Sequence, residues 1–137
     1  MFIPKKSKFR KFQKGQFLKR ITKTVSSHYT FYGKIRLVAL TFGKINSFQL
    51  LTMKQTVTKL IKKKGKLRLN LFPNIGLSKK PAEVRMGKGK GALDHWLIKI
   101  KKGVTIAEIE IKFIKIGIKA FKAAQYKLPF LTKIIVN

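Results

Sequence analysis

The stretch NSFQLLTMKQTVTKLIKKKGKLRLNLF, residues 46–72, decides the fold because its apolar residues change from helical to extended spacing within it. Asn46 can cap a helix, and the side chain of Gln49 can reach back to it. This predicts a helix from about Ser47 to Lys64 that stops at Gly65. Its apolar stripe is Leu50, Met53, Val57 and Leu60. Leucines then alternate with polar residues over 66–72, which predicts a half-buried strand.

Shorter segments are predicted on both sides of this stretch. Residues 31–40 are rich in β-branched and aromatic side chains, which favours a strand. Residues 73–83 are predicted to form a loop, because proline and glycine interrupt them at Pro73, Gly76 and Pro81. A short extended piece at 84–86 should follow this loop.

An antiparallel hairpin is predicted further along the chain. The runs 96–101 and 104–111 both alternate apolar and polar residues, and Lys102 and Gly103 join them. Two acids, Glu108 and Glu110, share one face of the second run. They can form a carboxylate pair for metal or acid–base chemistry, but cross-strand ion pairs with Lys99 and Lys101 are the better interpretation.

A second amphipathic helix should follow and end near Lys127, because Pro129 cannot continue it. Its apolar positions are Ile114, Ile118, Phe121, Ala124 and Leu128, and Lys112, Lys115, Lys119 and Lys122 line another face. Residues 131–136 should return to the sheet as a strand. We therefore expect an α+β fold, a mainly antiparallel sheet with two helices packed on it. One domain over 25–137, with an inserted Gly/Lys loop at 80–92, should follow an extended basic arm over 1–24.

The charge of the chain indicates a polyanionic partner. There are 33 Lys and Arg residues against 4 Asp and Glu, a net charge of +29 that ion pairs within the chain cannot neutralise. Nucleic acid is the first candidate and an anionic membrane surface the second. The 45% of hydrophobic residues argues against a disordered tail. The longest strictly apolar run, residues 37–40, is far shorter than the ~20 residues that span a bilayer.

The basic arm is the first candidate for binding nucleic acid. Six of the ten residues from 5 to 14 are basic: Lys5, Lys6, Lys8, Arg10, Lys11 and Lys14. Long cations on an acid-free segment are suited to neutralising closely spaced phosphates. Phe9 and Phe12 can stack on unpaired bases or anchor the arm to the domain. A solvated tail, a membrane-surface tail and a targeting presequence have similar compositions and remain alternatives.

A second candidate is the run Gly87-Lys88-Gly89-Lys90-Gly91, which alternates lysines with residues that lack a Cβ. Backbone amides and lysines in such a run can approach a crowded phosphate surface. The run formally fits a dinucleotide fingerprint, but a strand-like segment follows it where the fingerprint needs a helix. It is also not a phosphate loop, because Gly91 stands where Ser or Thr is required.

No catalytic or metal-binding constellation is visible in the sequence. The two histidines, His28 and His95, are far apart, and there is no cysteine. Asp94 precedes His95 directly, and adjacent residues on a strand point to opposite faces, so an oriented acid–base pair is not expected. We expect a non-enzyme that requires neither a metal nor a cofactor.

Two stretches resemble the signatures of the bacterial-type large-subunit ribosomal protein L-sixteen family, part of the universal L-sixteen/L-ten-e group. They are Lys8-Phe9-Arg10-Lys11 with Lys14-Gly15, and Lys80-Pro81-Ala82-Glu83-Val84-Arg85-Met86-Gly87-Lys88-Gly89-Lys90-Gly91. The similarity extends through Leu71-Phe72-Pro73, Trp96, Ala120-Phe121-Lys122-Ala123-Ala124 and Lys127-Leu128-Pro129. It implies a hammerhead-like α+β domain that contacts large-subunit rRNA beside A- and P-site tRNAs and joins the subunit late in assembly. Neighbouring ribosomal proteins would be its protein partners, and it would not be a homo-oligomer.

The resemblance also implies roles for individual residues. The arm would thread into rRNA through Lys5, Lys6, Lys8, Phe9, Arg10, Lys11 and Lys14. Apart from the resemblance, the basic faces of the two predicted helices add Lys62, Lys63, Lys119 and Lys122 as candidate rRNA contacts. The loop Arg85, Met86, Gly87, Lys88, Gly89, Lys90 and Gly91 would point toward the tRNA passage. Residues 16–64 depart from the family pattern, with Gln16 in place of an Arg and a Leu- and Lys-rich helix, so contacts there are not carried over.

The resemblance begins at Met1, so the basic N-terminus is expected to be the mature arm with no presequence. Lysine outnumbers arginine 28 to 5, as in products of AT-rich genes. Together these favour a mitochondrial ribosome, with a plastid or bacterial ribosome as alternatives. Outside the ribosome, the alternative is a cationic membrane-surface protein or a general nucleic-acid-binding protein.

Overall fold

Two antiparallel sheets and two helices make up the described part of the chain, which in this computed structural model is residues 2–9, 11–13, 34–85, 87 and 89–136. The elements are β1 (Ile35–Ala39), β2 (Gly43–Asn46), α1 (Ser47–Ile61), β3 (Gly65–Leu69), β4 (Ile75–Lys79), β5 (Ala92–Ile100), β6 (Thr105–Ile111), α2 (Ile114–Gln125) and β7 (Thr132–Val136). One sheet has the order β3-β6-β1-β7 and the other β2-β5-β4, with antiparallel neighbours throughout. The predicted α+β class is confirmed.

The first helix begins where the sequence predicts and ends earlier. Gln49 Oε1 accepts a hydrogen bond of 3.0 Å from the backbone N–H of Asn46, which is half of the predicted capping box. The helix ends at Ile61, and Lys62 follows with a positive φ of 54°. Gly65 is therefore not its stop. It opens β3, where an added Cβ would lie 2.6 Å from the carbonyl oxygen of Glu110.

The core lies where the two helices pack on the sheets. Buried apolar residues of α1 are Leu50, Met53, Val57 and Ile61, and those of α2 include Ala120, Phe121 and Ala124. Ile61 takes the buried position that the helical spacing assigned to Leu60, which is 37% exposed. Ile114, at the start of α2, is likewise 38% exposed. The last predicted strand is confirmed as β7, which pairs with β1.

The predicted hairpin of residues 96–111 is wrong, although both of its strands exist. β5 pairs with β2 and β4, whereas β6 pairs with β1 and β3 in the other sheet. The connection at Lys102 and Gly103 crosses between the sheets, and the N–H of Gly103 donates to the carbonyl of Ala39 at 2.8 Å. Alternating residues specify an extended segment with one buried face, but they do not specify its neighbour.

The predicted loop at 73–83 is also wrong in part. Residues 75–79 form β4, whose Lys79 pairs with Ala92 of β5. Val84, the first residue of the predicted extended piece at 84–86, instead belongs to a turn in which its N–H donates to the carbonyl of Pro81 at 3.3 Å, and Met86 lies outside the described residues. Residues 80–91 are therefore the closed end of a β4–β5 hairpin. The predicted boundary between arm and domain, at residues 24 and 25, falls outside the described residues and stays a prediction.

Candidate nucleic-acid interface

The tip of the β4–β5 hairpin, residues 80–91, carries the glycine and lysine run, and we call it the hairpin loop. Gly87 and Gly89 have φ angles of 109° and 83°, a region that side chains with a Cβ rarely adopt. An ideal Cβ on either glycine would meet nothing within 4 Å, so open space surrounds this backbone. At Gly91 the strands close, and an added Cβ would lie 2.5 Å from the carbonyl oxygen of Lys79.

One side chain of the hairpin loop forms a hydrogen bond that stabilises the loop, and others are exposed to solvent. Lys80 Nζ donates a hydrogen bond to the carbonyl of Gly87 across the loop. Arg85 and Lys90 are exposed. The predicted residues Met86 and Lys88 lie outside the described residues.

The arm folds back onto the hairpin loop. Lys11 Nζ donates to the carbonyl of Lys90 at 3.4 Å, and Lys90 Nζ donates to the carbonyl of Phe12 at 2.6 Å. The rings of Phe12 and Trp96 meet edge to face, with centroids 6.5 Å apart. Two segments that the sequence offered as separate candidates, the arm and the hairpin loop, therefore form one basic surface.

The two phenylalanines of the arm differ in their surroundings. Phe12 is half-buried against Trp96, so it anchors the arm. Phe9 is 65% exposed, and Lys8 Nζ lies 5.7 Å from the centre of its ring. Phe9 thus keeps a ring face that is available to a partner. Arg10 and Lys14, the other predicted arm residues, lie outside the described residues.

Between the arm and the domain lies a groove of about 740 Å³, which we call the arm groove. Ile3, Pro4, Lys5, Lys6, Ser7 and Lys8 form one wall, and Ser47, Phe48, Leu93, Asp94 and Trp96 form the other. Phe2 packs against the core beside it, with Lys54 Nζ 5.5 Å from its ring centre. The sequence did not indicate this groove, because its two walls come from distant segments.

A second basic concavity, the lysine cleft, lies at the other end of α1. Its lining residues are Lys34, Lys63, Lys64, Gly65, Lys66, Glu110, Ile111 and Lys112. Of the helix lysines predicted to bind rRNA, Lys63 lies here and Lys62 is exposed beside it. Lys119 and Lys122 are exposed on α2, on the side away from buried Phe121. The cleft gathers lysines from three chain segments, which no local pattern reveals.

Asp94 and His95 are hydrogen-bonded to each other, although the alternation of side chains along a strand predicted that they would not be. His95 Nδ1 lies 2.9 Å from Asp94 Oδ2, and because a carboxylate only accepts, Nδ1 carries the proton. The β4–β5 register shifts here, since Leu77 is opposite His95 and Ser78 is opposite Leu93. Asp94 is the extra residue of a β-bulge, and a bulge breaks the alternation of side chains.

Glu108 and Glu110, the two acids of β6, lie opposite other residues than the sequence predicted. Glu108 is buried and lies directly opposite Arg36 of β1 and Arg68 of β3, and Glu110 lies opposite Lys66. Asn70 Nδ2 donates to Glu108 Oε1 at 2.8 Å. The predicted cross-strand pairing with Lys99 and Lys101 is wrong, because Lys99 lies in β5 of the other sheet and Lys101 follows the end of that strand. Burial of Glu108 removes one of four acids from an otherwise cationic surface.

No helix within the described ranges is long and apolar enough to cross a membrane. In the same part of the chain, no three His, Asp or Glu side chains lie together as they would to hold a metal ion.

The chain is similar to known proteins over nearly its whole length. The sequence model of ribosomal protein L16p/L10e matches residues 4–135. The chain belongs to this family. The large ribosomal subunit protein uL16 of Acinetobacter baylyi is 39% identical, covering 100% of this chain and 98% of that protein. The uL16c protein of Cyanidium caldarium is 36% identical (100% and 96%), and the uL16 protein of Karelsulcia muelleri is 38% identical (100% and 98%).

In this member of the L16p/L10e family, we expect Phe12, but not Phe9, to hold the arm against the domain. Phe12→Ala removes a half-buried ring and its aromatic contact, a loss of about 1–2 kcal/mol that raises the detached population about five- to thirtyfold. Limited trypsin digestion with mass spectrometry should then show faster cleavage in the arm. Phe9→Ala is the matched control, and equal cleavage rates in the two variants would contradict the anchoring role.

Proposed function

We propose that this chain binds large-subunit rRNA through the arm and the lysine cleft and lies beside A- and P-site tRNAs, with the hairpin loop toward the tRNAs. Family membership makes it a structural constituent of the large ribosomal subunit and not an enzyme. In this role it supports subunit assembly and the positioning of tRNA. The observation that carries the proposal is the joining of arm and hairpin loop by hydrogen bonds between Lys11, Lys90 and Phe12.

The electrostatics of this junction favour an RNA partner. The arm and the hairpin loop bring lysines of both segments to one surface, although like charges repel. An rRNA strand with one phosphate charge at every nucleotide removes that repulsion and releases its counterions. The open space around Gly87 and Gly89 lets a second nucleic-acid surface approach the backbone closely. Because the arm is hydrogen-bonded to the hairpin loop, binding of the arm to rRNA would also position the hairpin loop.

Sedimentation tests the proposal directly. We expect the protein in a gentle lysate to migrate with the large subunit through a sucrose gradient and to lose that position after ribonuclease treatment. Migration with membranes, or at the top of the gradient before ribonuclease, would contradict an rRNA-bound role.

A charge-matched pair of variants tests the hairpin loop. We expect Lys88→Ala with Lys90→Ala to weaken subunit maturation or tRNA binding while the domain stays folded, because lysines between glycines add little to the core. The control is Lys101→Ala with Lys102→Ala, which removes the same charge from exposed residues of another turn. Equal effects of the two double variants would show that only net charge matters.

We further propose that the ribosome concerned is mitochondrial, with a plastid or bacterial ribosome as the alternative. The support is the residue usage, in which lysine outnumbers arginine 28 to 5. Fractionation of cells that express the tagged protein should place it with organelle ribosomes, and recovery with cytosolic ribosomes alone would reject the mitochondrial assignment.

A further inference from the structure

We propose that the arm groove binds one unpaired guanine nucleotide, whose base stacks on Phe48 and whose Watson–Crick edge hydrogen-bonds to Asp94. The inference rests on the proposed function, because it takes RNA as the partner. It adds a specific contact to a surface that otherwise only neutralises phosphates. The argument rests on three kinds of group that meet in this groove: an aromatic ring, a set of lysines and a carboxylate.

The carboxylate is the informative group. Asp94 is one of 4 acids in a chain of charge +29, and it stands opposite a wall that carries Lys5, Lys6 and Lys8. Among the described residues, the ion pair within 4.0 Å that involves Asp94 is with His95 and not with an arm lysine. Asp94 therefore does not neutralise Lys5, Lys6 or Lys8, the described arm lysines that line the groove. A carboxylate repels phosphate but accepts hydrogen bonds from base N–H groups, so it favours a base at this position.

The β-bulge and His95 position that carboxylate. The bulge at Asp94 brings its side chain to the groove, while the Nδ1–H of His95 holds Oδ2 at 2.9 Å. A carboxylate offers about four acceptor positions, so this bond leaves capacity for further donors. The Asp94 side chain is 44% exposed, and a ligand can reach it.

The geometry of a carboxylate selects guanine among the unpaired bases. Guanine presents N1–H and the N2 amino group side by side, two parallel donors that match the two carboxylate oxygens. Adenine and cytosine each present one amino group next to a ring nitrogen that only accepts, and uracil presents its N–H between two carbonyl oxygens. In these three bases an acceptor would face a carboxylate oxygen and repel it.

The remaining walls of the groove suit the rest of a nucleotide. Phe48 is 53% exposed at the start of α1, so one face of its ring is open to a stacked base. Lys5, Lys6 and Lys8 are exposed on the opposite wall, where they can contact the phosphates on either side of that base. A single nucleotide can thus contact all three kinds of group at once.

Short RNAs test the proposal with the full-length protein. We expect UUGUU to bind about tenfold more tightly than UUAUU, UUCUU or UUUUU, measured by fluorescence anisotropy. Replacing the guanine by inosine, which lacks the N2 amino group, should remove most of that preference. Equal affinities for all of these oligonucleotides would overturn the proposal. Guanosine monophosphate, added as a competitor, shows whether a free nucleotide suffices or a strand is needed.

Paired variants assign the preference to the groove. Asp94→Asn should abolish the preference for UUGUU without weakening UUUUU, and the affinity for UUUUU is the control for the changed net charge. Phe48→Ala should weaken UUGUU about tenfold, and Phe113→Ala, which removes a 62% exposed ring elsewhere, should not. Circular dichroism checks that each variant is folded. A preference that survives Asp94→Asn would overturn the assignment to the groove.

Sedimentation and RNA binding of the wild-type protein together separate this inference from the proposed function. If the wild-type protein migrates with the large subunit but shows no guanine preference, the groove proposal fails and the ribosomal role stands. If the protein shows the preference in isolation but does not migrate with the subunit, the ribosomal proposal fails and the groove is a nucleotide site of another kind.

Discussion

Replacing Glu108 by alanine is expected to lower the free energy of unfolding by about 3–5 kcal/mol. Glu108 is 3% exposed and stands directly opposite Arg36, which is 5% exposed, with Arg68 opposite it on the other side. Removal of the carboxylate leaves the Arg36 charge buried without its opposite charge, and it also removes the acceptor for Asn70. Most domains have only about 5–15 kcal/mol in total, so this one change would remove a large fraction of the stability.

Glu110 provides the matched control for this prediction. It lies two residues along β6 and opposite Lys66, but it is exposed. Glu110→Ala is therefore expected to change the free energy of unfolding by less than about 1 kcal/mol. Urea unfolding followed by circular dichroism measures both variants. Similar small losses in the two would show that Glu108 does not compensate Arg36 in the folded protein.

A double variant separates a missing partner from a missing side chain. If the cost of Glu108→Ala comes from a buried unpaired charge, Arg36→Met together with Glu108→Leu should recover most of the lost stability, because apolar side chains of similar volume need no partner. A double variant as unstable as Glu108→Ala would point instead to packing or to the lost bond from Asn70.

The elements of the fold could be predicted where their signal is local. The cap at Asn46 and the spacing of Leu50, Met53 and Val57 define α1, since neighbouring residues alone determine a helical face. The alternation of Leu67 and Leu69 likewise gives β3. Strand partners were not predictable, because β5 and β6 are adjacent in the chain but pair in different sheets. That choice depends on contacts between distant residues, which periodicity does not encode.

The candidate interface, too, could be predicted from the sequence only where its signal is local. The glycine and lysine run and the basic arm are composition signals, and the sequence identifies both. Their contact joins Lys11 to Lys90, 79 positions apart, and depends on how Phe12 packs on Trp96. The pair of Asp94 and His95 was predicted not to form, because the alternation rule assumes a regular strand. The bulge that overturns it comes from the register between β4 and β5, a property of two strands together.

The arm lysines are expected to supply a large part of the salt dependence of rRNA binding. Each phosphate contact steepens the log–log dependence of affinity on salt by about 0.9 on duplex RNA or DNA, so a protein with 6–10 contacts loses about 10³–10⁵ in affinity between roughly 50 and 200 mM salt. Replacing Lys5, Lys6, Lys8 and Lys11 together by alanine should therefore flatten the slope by roughly 3–4. Over that fourfold rise in salt, the wild type would lose about a hundredfold more affinity than the variant.

A control with the same net charge separates local contacts from the general field of the protein. Lys101, Lys102, Lys127 and Lys133 are four exposed lysines outside the predicted binding residues, and their replacement by alanine removes as many charges as the arm variant does. Steering by the overall field responds to net charge alone, whereas counterion release responds to the phosphates actually contacted. Binding of a large-subunit rRNA fragment, titrated at several salt concentrations, should give a nearly wild-type slope for this control. Equal slopes for the two fourfold variants would mean that the arm does not contact phosphates and that its lysines act only through the net charge of the chain.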